Sequence, residues 1–74
     1  MNERKFRNYW CQKDGARYEI DEDLVGWYLI YYKDQNSKKS SEDYLCNSLE
    51  EAFTKAQRRY DVPREAWQKT VIHN

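Results

Sequence analysis

Seven consecutive residues, Gly26-Trp27-Tyr28-Leu29-Ile30-Tyr31-Tyr32, make the only sustained apolar run in the chain, and they limit what the rest can fold into. The run has strand length, carries no charge and is rich in the aromatic side chains that suit a pleated surface. A period of two puts Trp27, Leu29 and Tyr31 on one face and Tyr28, Ile30 and Tyr32 on the other. Both faces want cover, which a central strand obtains and an edge strand does not.

The flanking segments supply the neighbours. Phe6 to Gln12 alternates loosely and predicts a first strand that ends at Lys13-Asp14-Gly15, where Asp-Gly is a strong hairpin signal because glycine accepts the positive φ of such turns. Ala16, Tyr18 and Ile20 then alternate with Arg17, Glu19 and Asp21, the pattern of a half-buried second strand. Asp21-Glu22-Asp23-Leu24-Val25 reads as a short acidic connection, after which Gly26 admits the central strand. Beyond Tyr32, Lys33 to Glu42 holds asparagine, glutamine, lysine and serine and reads as a mobile loop with nothing to bury. Asp43 to Asn47, carrying Tyr44, Leu45 and Cys46, forms either a short fourth strand or an extended lead-in to a helix.

That helix is the clearest element. Ser48 is a helix N-cap and Glu51 follows three residues later, the spacing of a capping box. Leu49, Ala52, Phe53, Ala56 and Tyr60 make one apolar stripe. Glu50 and Glu51 sit in the first turn and Arg58 and Arg59 in the last, as the helix dipole favours. Pro63 halts the helix near Asp61 or Val62. Pro63-Arg64-Glu65-Ala66-Trp67 suits a short second helix that drops Trp67 onto an open end of the core. The expected fold is α+β: a small antiparallel sheet of three or four strands packed on one helix, with a short C-terminal helix, in one domain over residues 1–74.

A chain of 74 residues buries only about 60% of its extended surface, so capping and aromatic packing weigh heavily in its stability. Thirteen basic and 13 acidic residues cancel formally, which speaks against a dedicated polyanion binder. The charged N-terminal segment, residues 1–5, is expected to fray. No apolar stretch follows it to act as a signal peptide and none is long enough to span a bilayer, so a cytoplasmic location and no membrane partner are expected. Cys11 and Cys46 lack C-x-x-C spacing and read as small core-filling thiols, with an inter-strand disulfide as the other reading.

Three classes of function can be weighed. Catalysis finds little support: His73 is the only histidine and lies second from the C-terminal end, there are two glycines and no phosphate loop, and no metal-ligand spacing occurs. No cofactor and no small-molecule substrate are expected. Nucleic-acid binding rests on Arg4, Lys5, Arg7, Lys13 and Arg17, interleaved with Phe6, Tyr9 and Trp10, with Lys38 and Lys39 able to join from the loop. A three-stranded sheet followed by a helix that opens Ser48-Leu49-Glu50-Glu51-Ala52 resembles the arm-binding domains of phage integrases. It is similar also to the plant ethylene-response DNA-binding domain. That resemblance implies DNA binding through the sheet. The plain structural reading of the same cations is a solvated basic edge that discourages strand-on-strand aggregation.

Protein binding rests on the acidic run Glu19, Asp21, Glu22 and Asp23, which Glu42 and Asp43 approach from the opposite loop. Such a patch complements a basic surface and steers association. Tyr28 and Tyr32, with Tyr18 or Tyr44 nearby, are the candidate aromatic anchors, and ordinary core packing is their alternative role. The leading expectation is a protein-binding module of inhibitor type, like a toxin-immunity protein or a phage-encoded antagonist. Its partner would be a basic nuclease or another nucleic-acid-handling protein, and a β-sheet nucleic-acid-binding domain is the alternative.

Overall fold

Asp14 and Gly15 turn the chain as their chemistry directs. Both take positive φ, 54° and 83°, and they link two strands in the tight two-residue form that matches the natural twist of a hairpin. In the computed structural model, which describes residues 8–70, that hairpin joins β1 (Tyr9–Lys13) to β2 (Ala16–Asp23). The apolar run is β3 (Gly26–Tyr32), followed by β4 (Glu42–Cys46), the helix α1 (Leu49–Tyr60) and a two-residue β5 (Gln68–Lys69). The strands form one antiparallel sheet in the order β4-β3-β2-β1-β5. The α+β class holds, with five strands where three or four were expected.

Register decides which side chains share a face. Tyr9, Ile20, Leu29 and Tyr44 lie in one cross-strand row, and Cys11, Tyr18, Tyr31 and Glu42 in the next. These rows meet α1 and form the core with Cys46, Ala52, Phe53, Ala56 and Val62. Phe53 makes edge-to-face pairs with Tyr9 at 5.3 Å and Trp67 at 5.9 Å between ring centroids, geometries that favour aromatic pairs. Cys11 and Cys46 are free, buried thiols. Burial pushes both above the ordinary thiol range, which disfavours the thiolate form.

The helix begins as its sequence indicates. Ser48 Oγ accepts the Glu51 N–H at 3.1 Å, while Glu51 reaches back to the Asn47 N–H at 3.2 Å, one residue beyond the usual reciprocal contact. It ends where Asp61 takes a left-handed conformation, φ 59° and ψ 38°, and Val62 is then fully buried. Ser48→Ala removes one satisfied donor at the helix start and should cost about 1 kcal/mol of unfolding free energy. A urea melt coincident with that of the wild type would remove the cap from the account of stability.

Four expectations are corrected. The acidic stretch Asp21-Glu22-Asp23 is the end of β2, not a connection: Asp21 pairs with Tyr28, Glu22 with Trp27 and Asp23 with Gly26. The short C-terminal helix is a single 3-10 turn, Arg64–Ala66, because Trp67 has already returned to extended backbone. From there the chain adds β5 to β1, placing Lys69 opposite Tyr9. Among the described residues the first strand starts at Tyr9, after a bend at Asn8, while Phe6 and Arg7, like the remaining N-terminal residues and His73, lie outside the described residues. Finally, Lys33 to Glu42 is tied to the sheet: the Gln35 N–H donates to Gly15 O at 2.9 Å, the Ser41 N–H to Tyr31 O at 2.8 Å, and Gln35 and Ser37 are half-buried.

Candidate functional site

Strands β2 and β3 are joined by Leu24 and Val25 alone. Neither takes a positive φ, although two-residue hairpin turns usually need it. Local bonds and Gly26 accommodate the reversal. Asp23 Oδ1 accepts the Leu24 N–H at 2.7 Å, and Asn8 Oδ1 accepts the Glu22 N–H at 2.6 Å. Gly26 itself takes φ 154° and lies so near the end of β4 that an added Cβ would sit 2.5 Å from Cys46 O and 3.1 Å from Leu45 Cδ1.

That close approach has a surface consequence. The turn carries Leu24, wholly exposed, and Val25, 67% exposed, and Leu45 on β4, 50% exposed, stands beside Gly26. These are the large apolar side chains most exposed to solvent among the described residues, and all three gather at one end of the sheet. Glu22 and Asp23 border them, both exposed, and half-buried Tyr28 lies opposite Leu45 in register. The result is an apolar tip with an acidic rim.

The residues singled out from the sequence fare differently. Glu22 and Asp23 belong to the tip and Tyr28 adjoins it. Asp21 is only 1% exposed, on the side of the sheet away from α1, so it is no part of an accessible patch. Tyr32 is also buried, its ring capped by the Arg17 guanidinium at 3.8 Å. Tyr18 stacks in the core with Tyr31 and Tyr60. Glu19 is buried and paired with Arg17. Glu42 and Asp43 do not approach the acidic run: Glu42 lies opposite Tyr31, at the far end of β3 from the turn.

Glu42 instead accepts bonds from the hydroxyls of Tyr60 and Tyr44 and from Arg59. Those bonds, that of Tyr60 foremost, hold its carboxyl below the usual range. Burial, and then the bond to Glu42, push the Tyr60 hydroxyl well above its ordinary value. The phenol therefore stays protonated and the carboxylate charged, a fixed junction between β4 and α1.

The basic candidates on the described strands, Lys13 and Arg17, lie on opposite sides of the sheet. Arg4, Lys5 and Arg7 lie outside the described residues. Lys13 shares the helix side of the sheet with Cys11 and contacts Asp14 at 3.5 Å. Trp10 is half-buried on the opposite side, across from Glu19. Arg17 is fully engaged: Nε donates to Glu19 Oε2 at 2.9 Å, one terminal nitrogen to Gln35 O and the other to Ser37 O at 3.2 Å. It straps the 33–41 loop onto the sheet and commits three of its five N–H donors internally.

Leu24, Val25 and Leu45 were not picked out from the sequence. The signal was present at the turn, where two aliphatic residues stand between an acidic run and a glycine with no room for cover. Leu45 carried none, since its exposure depends on where β4 meets Gly26. Among the described residues no group of histidine, cysteine and carboxylate side chains is placed to hold a metal ion, and no helix is long and apolar enough to cross a membrane.

Comparison of the chain with known protein families, with curated proteins and with solved structures finds no match, and the three strands before a helix on which the likeness to integrase arm-binding and ethylene-response domains rested are four, with a fifth strand after α1.

Proposed function

We propose that the protein is a protein-binding module that docks the β2–β3 turn into an apolar recess on a basic partner. The observation that carries this reading is the convergence of Leu24, Val25 and Leu45 beside Glu22 and Asp23. Exposed aliphatic side chains on a rigid turn lose little entropy on docking, and an acidic rim steers them towards positive potential. Ladder hydrogen bonds and the bond from the Leu24 N–H to Asp23 anchor the backbone that carries them. An inhibitor of a nuclease or another nucleic-acid-handling protein, of the toxin-immunity or phage-antagonist kind, fits these features. Internal use of Arg17 and burial of Glu19 weigh against phosphate recognition by the sheet.

The test begins with a pull-down from the native host, with and without nuclease, followed by surface-plasmon kinetics on the captured partner. Glu22→Lys with Asp23→Asn, which keeps the acceptor for the Leu24 N–H, should slow association several-fold and weaken its salt dependence. Leu24→Ser with Val25→Ser should instead speed dissociation, at a cost of about 2 kcal/mol or more. Both pairs should melt near the wild-type temperature. Release of the partner by nuclease, or wild-type kinetics for both pairs, would exclude this reading.

A further inference from the structure

A second surface lies along the outer edge of β4. β4 ends the sheet order, so no described strand pairs with its outer edge. Its side chains alternate: Glu42, Tyr44 and Cys46 face α1, while Asp43 and Leu45 face away. On the α1 side, a solvent-open concavity lies on the helix surface, lined by Glu51, Thr54, Lys55, Arg58 and Arg59. Contacts fix its position against β4. Lys55 Nζ stands 4.7 Å from the Tyr44 ring centre, and Arg59 donates to Glu42 Oε2 at 3.3 Å.

Charge in this groove is one-sided. Three cations face one carboxylate, Glu51, and that carboxylate accepts the Asn47 N–H. Glu42, the acid on the same side of β4, is already bonded by two phenols and Arg59. Lys55 and Arg58 are left to face an incoming chain. On the opposite side β4 offers exposed Asp43 and half-exposed Leu45.

We propose that the β4 edge and the α1 groove together form a binding site for an extended acidic segment of a partner protein, which adds to the sheet as a sixth strand. An added strand satisfies the backbone groups of an open edge, and its side chains alternate between the two faces. Positions facing α1 meet Lys55 and Arg58 and suit glutamate or aspartate. The intervening positions meet Asp43 and Leu45 and suit polar and aliphatic residues. A nucleic acid has no amide ladder to offer the edge. A second copy of β4 would place two Glu42-Asp43 pairs on one ladder, the charge pattern that keeps edges from pairing with themselves. The site shares Leu45 with the turn surface and otherwise extends away from it, since Glu42 pairs at the Tyr31 end of β3 and the turn adjoins its Gly26 end.

Fluorescence anisotropy with labelled synthetic peptides of strand length tests this on the full chain. The probes are an alternating Glu/Val peptide, a block-scrambled peptide of the same composition, an alternating Lys/Val peptide, and the Glu/Val peptide N-methylated at either alternate set of amides. A single-stranded oligonucleotide completes the set. The alternating Glu/Val peptide should bind at least tenfold more tightly than the scrambled or lysine peptide. N-methylation should weaken it by about tenfold or more in one frame and little in the other, because a strand pairs with an edge through alternate amides. Lys55→Glu with Arg58→Glu should weaken it by about tenfold or more. Equal binding of the scrambled peptide, indifference to both N-methylated frames, or no binding at millimolar peptide would overturn the proposal. So would oligonucleotide binding that the same two substitutions abolish. The N-methylated arms use the wild-type protein and do not depend on any variant folding.

Discussion

Phe53→Ala is expected to remove about 3–5 kcal/mol of unfolding free energy, most of what a domain of this size has. Phe53 is 7% exposed and sits where α1, β1 and the C-terminal segment meet. Tyr9 and Trp67 pack against its ring, and the Arg64 guanidinium covers it at 4.5 Å. Arg64 is in turn held by both carboxylate oxygens of Glu50, at 2.7 and 2.6 Å. Truncation therefore opens a cavity and also removes the surface on which Trp67 and the 3-10 turn rest. Urea melts with tryptophan fluorescence measure the loss. If Phe53→Ala is unfolded in water, Phe53→Leu should still fold with a smaller loss, giving a graded series. A Phe53→Ala protein as stable as wild type would mean that the helix does not pack on this sheet face.

Gly26→Ala is the second large effect, with an expected cost of about 2–4 kcal/mol. Two causes add: φ of 154° is strained for any residue with a Cβ, and that Cβ would stand 2.5 Å from a backbone oxygen of β4. Gly15→Ala is the internal control, because its φ is 83° but nothing lies within 4 Å of the added atom. It should cost only the conformational part, about 1 kcal/mol. Equal losses at the two glycines in thermal and urea melts would show that β4 is not held against the turn. Since Leu45 is placed beside the tip by the same close approach, Gly26→Ala should also disturb partner binding, whereas Gly15→Ala should not.

Local chemistry was legible in the sequence wherever it was sufficient. Asp14-Gly15 needs only its own backbone preference to form a turn, and Ser48 with Glu51 needs only the first turn of α1. The central position of β3 followed from its having two apolar faces. What could not be read depended on distant partners. Gln68 and Lys69 are too few and too polar to signal a strand, and they become one because Tyr9 and Trp10, some sixty positions away, offer an edge. The acidic end of β2 defied strand propensity because β3 supplies a complete ladder for it. The role of Arg17 was equally hidden: two of its partners, Gln35 O and Ser37 O, are main-chain groups that any sequence would carry. Of the candidate site, the acids at the turn were visible, but the apolar component was not, since exposure of Leu45 is a property of packing.

The pairing of β5 with β1 governs how the domain can be tethered. The Thr70 N–H donates to Asn8 O at 2.9 Å, so the polypeptide enters and leaves the described region at one point on the β5 side. The β4 edge lies on the other side of the sheet, four strand positions away. A reporter, a bead or a second domain joined directly at residue 8 or residue 70 would therefore start from the same margin, across the sheet from the β4 edge. Linking residues 8 and 70 through a short loop would close the backbone into a ring without crossing the sheet, and new ends opened at Asp14-Gly15 would fall in an exposed turn. Such a permuted chain would have its two ends in a different place while keeping every ladder described above.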